Sequence, residues 1–442
     1  MKVHLLKYWD RLRSGFWFVP GLMTIAAIAL AFVAVALDES VAVADWMVEQ
    51  SWAYTGGAEG ASLVLSTIAG SMITIAGVVF SMTLVALSLA SSQLGPRLLR
   101  NFMRDTRNQV MLGTFIATFL YCLLVLRSIR HAGEVVFVPH LSVTIGVLLA
   151  IVSLGVLIYF IHHVSVSIQA DEVVARVSAE LIDQIDRLFP ESTGQGVRLP
   201  ADIPASAGLP GAFGLEARPV GSVEDGYLQS IDLHALMELA KDEDALIRLE
   251  RRPGQYVVMG CPLVRVWPGD RVTETLEQRI NSAFVLGHQR TAAQDIEFPI
   301  HQLVEIAVRA LSPGINDPFT AITCVDRLGS ALHRLAQREM PSPLHIDEQE
   351  RLRVVVPATT FPEIVSTSFA PIRQSARSSA IVTIRLLESI AVIAGAVHRS
   401  NDRAALRHQA EMIVRGARAA LPEDWDRRAV EECYHEASRA LS

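Results

Sequence analysis

A run of 37 residues, from Gly60 to Pro96, contains no Asp, Glu, Lys, Arg or His. A helix needs roughly 20 apolar residues to cross the hydrocarbon core of a bilayer. The run is therefore long enough to cross the membrane at a tilt, or to continue beyond it as a helix. This pattern predicts a transmembrane helix that ends at a basic interface, because four arginines follow at once: Arg97, Arg100, Arg104 and Arg107.

Small and hydroxyl-bearing residues recur along this predicted helix at steps of 3, 4, 3, 4 and 7 residues. Steps of three and four place side chains on one helical face. That face consists of Thr67, Gly70, Thr74, Gly77, Ser81 and Ser88. It is suited to contact either another helix or water, and the sequence leaves both interpretations open.

Three further apolar segments predict three further spans, so we expect an α-helical integral membrane domain with four transmembrane helices over residues 1–170. The spans are expected at about 16–37, 61–92, 109–126 and 141–161. The first is too long for the apolar region of a signal peptide and lacks a small-residue cleavage pattern, so we expect it to remain as an anchor.

The distribution of charge near the spans predicts their orientation. Lys2, Lys7, Arg11 and Arg13 precede the first span, and the arginine cluster separates the second from the third. The connection at 38–60 carries only acidic charge. Both termini are therefore expected in the cytoplasm. Arg127 and Arg130 fall on the outer side in this arrangement and are a mild exception, which snorkelling of their side chains tolerates.

The rest of the chain has the mixed composition of a globular protein, so we expect a cytoplasmic α+β region after the spans. It is divided into an amphipathic extension at 171–189, a Pro/Gly-rich linker at 190–222, a small β-rich module at 223–270 and a mostly helical domain at 271–442. The last of these is expected to end in a helical C-terminal bundle.

Short extended segments at 227–231, 246–249, 256–259 and 263–267, with a Pro253-Gly254 turn, indicate the β-rich module. The string PGQYVVMGCPL at 253–263 resembles the PGxxVxxGxPL hairpin of biotinyl/lipoyl-like barrels. No lysine occupies the hairpin tip, so the attachment chemistry of those families is not implied. We expect a barrel-like module that serves binding or assembly.

Several classes of function find no support in the sequence. The net charge is −7, and the sequence does not indicate binding to nucleic acid. The four cysteines lack the spacing of a zinc site or of a disulfide framework. P-loop, GxSxG, HExxH and dinucleotide-binding motifs are missing. His288, Gln289, Arg290 and Asp295 lie before a helix and could face a cleft, but they match no catalytic motif. We expect no enzyme, no cofactor and no metal site.

A dense local signal is the turn between two predicted helices at Ser312-Pro313-Gly314. Asp317 followed by Pro318 has the N-cap and first-turn residues of a new helix. One interpretation is a rigid helix–turn–helix corner. The other is a site for a small ion, a ligand or a partner, formed by Arg309, Asn316, Asp317 and Thr320. The charge of such a ligand stays open, because a helix N-terminus favours anions whereas a carboxylate favours cations.

Two strings carry a resemblance to a known family. ALSPGINDPFTA at 310–321 and GSMITIAGVVFSMTLVALSLASSQLGPRLLRNFMRD at 70–105 resemble a family of bacterial predicted inner-membrane proteins catalogued only as a domain of unknown function. The resemblance spans nearly the whole chain. It implies a multi-pass protein of the bacterial cell inner membrane, with four N-terminal spans and a cytoplasmic C-terminal region. It implies no activity and no catalytic residues.

Two functions remain. The first is a homo-oligomeric, ion-conducting channel whose pore is lined by the second span, with the arginine cluster as a basic vestibule that favours anions. This arrangement superficially resembles the pore helix of small-conductance mechanosensitive channels. The second is a membrane-anchored scaffold or sensor whose spans only pack together, with a cytoplasmic region that binds a ligand or partner. Small-residue faces most often serve helix packing.

Overall fold

The computed structural model describes residues 17–40, 54, 56–95, 106–130, 137–167, 169–190, 209–357 and 359–442. The chain divides into two compact units, Met1–Glu172 and Val173–Ser442. Each unit has its own core, and each is described by itself below.

The first unit contains four long apolar helices, each long enough to cross a bilayer. The predicted number of spans is confirmed. The first helix begins two residues after its predicted start and ends one residue after its predicted end, and each of the other three extends by one to six residues beyond both predicted ends. The protein is a multi-pass membrane protein that contacts the lipid bilayer. Its spans are α1 (Phe18–Asp38), α2 (Ala58–Leu94), α3 (Thr106–Ser128) and α4 (His140–Ser167).

Small residues bring these helices close together. Ala27 and Ala31 of α1 are buried in one cluster with Ala61 of α2 and Tyr121 of α3. A Cβ added to Gly113 of α3 would lie 2.7 Å from the Sδ of Met23 and 3.1 Å from the Cα of Pro20 on α1, so a larger residue here would require α1 to shift. Close approach of backbones through small residues is the usual way in which helices pack in lipid.

Asp38 joins the end of the first span to the beginning of the fourth. Its carboxylate accepts hydrogen bonds from the backbone N–H groups of Leu141 at 2.8 Å and Ser142 at 2.9 Å. The Ser142 hydroxyl donates a third bond, at 2.6 Å. The first N–H groups of a helix lack partners within the helix, and the helix dipole favours negative charge there. Asp38 therefore caps α4 from a separate helix.

The second unit begins with a long helix and then enters a region of short strands. The predicted linker at 190–222 ends too late, because a helix and a strand already form between 213 and 221, while its residues 191–208 lie outside the described part of the chain. The elements are α5 (Ala170–Leu188), α6 (Phe213–Glu216), β1 (Arg218–Gly221), β2 (Gly226–Ile231), α7 (Leu233–Asp242), β3 (Leu246–Leu249), β4 (Tyr256–Val257), β5 (Pro262–Trp267), α8 (Glu274–Ser282) and β6 (Phe284–Gly287).

The remainder of the second unit is mostly helical, as predicted, with one short hairpin in its middle. The elements are α9 (Glu297–Ala310), α10 (Pro318–Ala336), β7 (Leu344–Ile346), β8 (Leu352–Val355), α11 (Phe361–Ala376), α12 (Ala380–Ala394), α13 (Ser400–Ala420) and α14 (Asp424–Ala440). The amphipathic helix α5 belongs to this part, since its Leu181 and Ile185 lie against Ile300 of α9, Leu328 of α10 and Ile364 of α11.

The strands form two sheets, and no closed barrel is found among the described residues. One sheet has the order β1-β5-β3-β8-β7 and the other has the order β4-β2-β6. The expectation of a barrel-like module is therefore wrong. The prediction of individual strands was correct at three places, because strands are present at 227–231, 246–249 and 263–267. The larger sheet instead recruits β7 and β8 from about a hundred residues later, and β3 pairs with β8 in parallel.

A charge network holds the distant strand β8 in place. Arg353 of β8 is 4% exposed, and its guanidinium donates to Asp347 and to Asp244, each at 2.8 Å. Burial alone would raise the pKa of the Asp347 carboxyl, but the bonds from Arg353 and from the N–H groups of Arg351 and Gln349 hold this pKa below its ordinary value. The network joins the β7–β8 turn to the turn between α7 and β3.

Candidate functional site on the second span

The helix α2 has one face that packs within the membrane unit. Ala61, Leu65 and Ala69 are buried against α1, α3 and α4 in one cluster. Met72, Ala76 and Val79 continue this face in a second cluster with Phe115 and Phe160. The small residues of this inner face are alanines, and the glycines and hydroxyl residues singled out from the sequence take no part in it.

Those residues lie on the opposite face of α2, which we call the outer face. At about 100° per residue, the two faces are centred about 160° apart around the helix axis. A Cβ added to Gly70 or Gly77 would meet no atom within 4 Å. Nothing in the described part of the unit covers this face, because all six of its residues are exposed: Thr67, Gly70, Thr74, Gly77, Ser81 and Ser88.

The hydroxyl groups of the outer face are of two kinds. Thr67 and Thr74 donate to carbonyls one turn earlier in the same helix, Leu63 at 2.7 Å and Gly70 at 2.8 Å. Ser81 and Ser88 make no side-chain hydrogen bond to the described residues. A hydroxyl has one donor and two acceptor positions. The threonines therefore keep acceptor positions open, and the serines can donate or accept.

The spacing of the outer face is that of a heptad. Leu84 is 49% exposed and occupies the position between Ser81 and Ser88 that a repeat of three and four requires. A repeat of 3.5 residues keeps one face toward a partner helix when the two helices wind around each other with a left-handed twist. The outer face thus has the spacing of a helix-pairing seam along its whole length.

The predicted basic vestibule lies mostly outside the described residues. Arg97, Arg100 and Arg104 are not among the described residues, and Arg107 is the one member of the cluster that is described. It is exposed in the first turn of α3. Its place at the end of a span agrees with a basic interface, while the shared vestibule stays a prediction.

The corner between α9 and α10 uses its acidic residue as a helix cap. Asp317 accepts hydrogen bonds from the backbone N–H of Thr320 at 3.1 Å and from its hydroxyl at 2.5 Å, one on each carboxylate oxygen. Asn316 has a positive φ of 51°, a conformation that asparagine tolerates better than most residues. These contacts form a helix–turn–helix corner. A binding role for this corner, in which Arg309 of α9 would take part, stays a prediction.

Comparison with known proteins places the chain in a family. Residues 13–392 match the family model described as "Predicted membrane protein (DUF2254)". The chain belongs to the DUF2254 family. The resemblance inferred from residues 310–321 and 70–105 is confirmed, and the DUF2254 match includes all four spans and the corner.

The relatives of this DUF2254 protein do not supply an activity. Two of them are the "Uncharacterized protein Rv1290c" of Mycobacterium tuberculosis and the "Uncharacterized protein Mb1321c" of Mycobacterium bovis. Each is 34% identical over 375 residues, which cover 83% of this chain and 70% of the relative. No solved structure gives a significant match. The function must therefore be inferred from the geometry.

The second unit of this DUF2254 protein contains a buried ion pair between Arg290 and Asp295, two of the four residues that the sequence analysis considered as facing a cleft. Arg290 donates to both carboxylate oxygens of Asp295, at 2.8 and 3.0 Å, and to the Nδ1 of His301 at 2.9 Å. Asp295 is 3% exposed. Burial raises the pKa of its carboxyl above the ordinary value, although the Arg290 guanidinium acts in the opposite direction.

This ion pair lies against the Pro253-Gly254 turn. Gly254 has a φ of +92°, and a Cβ there would collide with the Asp295 carboxylate. Next to it, Arg252 donates to Glu297 at 3.1 Å and to Glu363 at 2.9 Å. The cluster connects the strand-rich part to α9 and α11. Among the described residues, no group of three His, Cys, Asp or Glu side chains is placed to hold a metal ion.

Proposed function

We propose that this DUF2254 protein is a homo-oligomeric membrane protein that conducts ions, in which the outer faces of α2 from several copies meet around a pore. The observation that carries the proposal is the direction of the small-residue face. All six of its residues are exposed on the side of α2 away from the other three spans. A second copy is the simplest partner for a face that the described part of the unit does not use.

Association in lipid depends on shape rather than on the hydrophobic effect. Lipid tails are as apolar as leucine, so helices associate through close packing and through polar contacts between them. Gly70 and Gly77 leave space that a facing helix can enter. An unpaired hydroxyl in an apolar medium costs about 1–3 kcal/mol. Ser81 and Ser88 therefore favour an environment of protein or water over lipid.

Conduction follows if the copies leave a water-filled space between their outer faces. Hydroxyl groups can replace part of the hydration shell of a passing ion, and apolar positions such as Leu84 can gate by dewetting. The arginines at 97, 100, 104 and 107 would raise the local concentration of anions at one end of α2. We therefore expect anion preference, and the charge-free run itself contributes no fixed charge.

A second function is favoured by a specific observation. The hydroxyls of Thr67 and Thr74 already donate to carbonyls of their own helix, so they need no water. In that case α2 pairs tightly with its copies, no pore opens, and the protein is a membrane-anchored scaffold or sensor. Both functions use the outer face of α2, and they differ in whether ions pass between the associated copies.

Electrical recording separates the two functions. Purified protein in a planar bilayer should carry current, and Gly77→Leu should reduce the total current by about tenfold or more because its side chain fills the space in which the copies meet. Gly21→Leu is the matched control, since Gly21 also has no atom within 4 Å of an added Cβ but lies on α1. It should conduct as the wild type does. Absence of current from an assembled wild-type protein would exclude the channel and leave the scaffold.

A further inference from the structure

A groove between the third and fourth spans is a feature of which the proposed function uses only one residue, Arg107. Its volume is about 430 Å³. This lies within the range of roughly 300–1,000 Å³ that is typical of small-molecule sites. Its lining includes Arg107 and Val110 of α3 and Val152, Gly155, Val156 and Tyr159 of α4.

The interior of the groove is apolar and elongated. Gly155 leaves it open, since a Cβ at this position would meet no atom within 4 Å. One end lies near the level of Ser153, whose hydroxyl bonds to Thr118 at 3.0 Å. The other end reaches Arg107, eleven residues before Thr118, which corresponds to about 16 Å along the helix. This shape suits a single extended hydrocarbon chain.

The opposite end of the groove is charged and polar. Arg107 is exposed in the first turn of α3, where the charge-free part of the span begins. Tyr159 is 47% exposed and its ring stacks on His163, with 5.7 Å between ring centroids. A guanidinium can bind a phosphate through two parallel hydrogen bonds, which makes arginine a preferred ligand for phosphate.

We propose that this groove binds an anionic phospholipid, with one acyl chain between α3 and α4 and the phosphate on Arg107. The combination of an apolar channel within the spans and a cation at its end fits an amphiphile with a negative headgroup. Charge complementarity distinguishes this occupant from a zwitterionic lipid. The site lies on α3 and α4, so it does not depend on the association of α2.

Native mass spectrometry of the full-length protein tests the proposal. Phosphatidylglycerol and phosphatidylcholine are titrated separately into the detergent-solubilised protein, and the retained lipid is counted. The wild type should retain phosphatidylglycerol in preference. Arg107→Gln should weaken its retention about tenfold, because a hydrogen bond to a charged group is lost. Arg107→Lys should restore part of it. Gly155→Leu should abolish retention because the leucine fills the groove.

Two controls match these substitutions within the same unit. Arg127→Gln removes an exposed arginine from the last turn of α3, at the end away from the groove. Gly21→Leu adds the same bulk to α1. Both should retain lipid as the wild type does. Gly155→Ala, which fits the open space, should also retain lipid and shows that the position tolerates a side chain.

Three results would overturn the proposal. Equal retention of the two lipids by the wild type would mean that the groove holds bulk lipid without selection. Unchanged retention by both Arg107→Gln and Gly155→Leu would place the bound lipid elsewhere. A change in the mass of the protein assembly on Gly155→Leu, with retention unchanged by Arg107→Gln, would show that a second copy covers the groove.

Discussion

Copies of the chain that carry Ser81→Cys should cross-link to one another in the membrane, whereas copies that carry Met82→Cys should not. The two positions are adjacent and both are exposed, so both thiols are accessible in a single copy. They point about 100° apart around α2. Only position 81 lies on the outer face. A disulfide requires Cα atoms about 4.4–6.8 Å apart, which only residues at a helix–helix contact meet.

The measurement is the fraction of covalent dimer on a non-reducing gel after mild oxidation of membranes. We expect a majority of Ser81→Cys in the dimer band and only background for Met82→Cys. The unmodified chain sets that background, since it has four cysteines outside disulfides and two of them are buried. The pair Ser88→Cys and Leu89→Cys repeats the comparison one heptad later. Equal cross-linking within both pairs would mean that α2 is not oriented as described.

Replacement of Arg290 by methionine should destabilise the second unit by about 3–5 kcal/mol, because it leaves a buried carboxylate without its partner. The carboxylate is that of Asp295, which is 3% exposed and bonded to Arg290 through both oxygens. Arg279→Met is the matched control. Arg279 pairs with Asp242 at 3.1 Å on the surface, where an ion pair contributes about 0–1 kcal/mol.

The measurement is the unfolding of the full-length protein by denaturant, monitored by circular dichroism. The effect of Arg290→Met should depend on pH. Burial already raises the pKa of Asp295, and loss of Arg290 should raise it further. A carboxyl with a raised pKa in the folded state stabilises the fold below its ordinary pKa, and this contribution is lost as pH rises through the folded value. The variant should therefore be least stable near neutral pH and should recover as the solution is acidified.

Two outcomes would contradict this account of the ion pair. If Arg290→Met costs no more than Arg279→Met, Asp295 is not held as a buried charge by Arg290. If the loss in Arg290→Met grows on acidification, the pKa of Asp295 is not raised by burial in the variant. Arg290→Lys distinguishes charge from geometry, because lysine supplies the charge without the two parallel hydrogen bonds.

The membrane spans could be predicted from the sequence because the bilayer imposes a length on any helix that crosses it. The outer face of α2 was also visible as a periodic pattern. The direction of this face could not be predicted, because a periodic pattern shows which residues share a face and does not show what that face contacts. The structure supplies this, since the alanines at 61, 69 and 76 form the inner face instead. The heptad was obscured because Leu84 interrupts the small residues.

In the second unit, local structure was predictable and long-range pairing was not. Turns and alternation indicate β3 and β5, whose pairing is antiparallel and close in the sequence. Strand β1 was hidden because Pro219 and Gly221 are typical of loops. Strand β8 joins β3 through a parallel pairing between residues about a hundred positions apart. The Asp38 cap likewise joins residues about a hundred positions apart, which no motif records.

The mass of the protein in lipid nanodiscs tests the central claim, which is that the outer face of α2 joins copies of this chain. One chain has a mass of 48.3 kDa. Mass photometry of the wild type, corrected for the lipid and belt protein, should give two or more times this mass, and Gly77→Leu should shift the population toward the single chain. A wild type that remains a single chain across the accessible range of concentration would contradict the account.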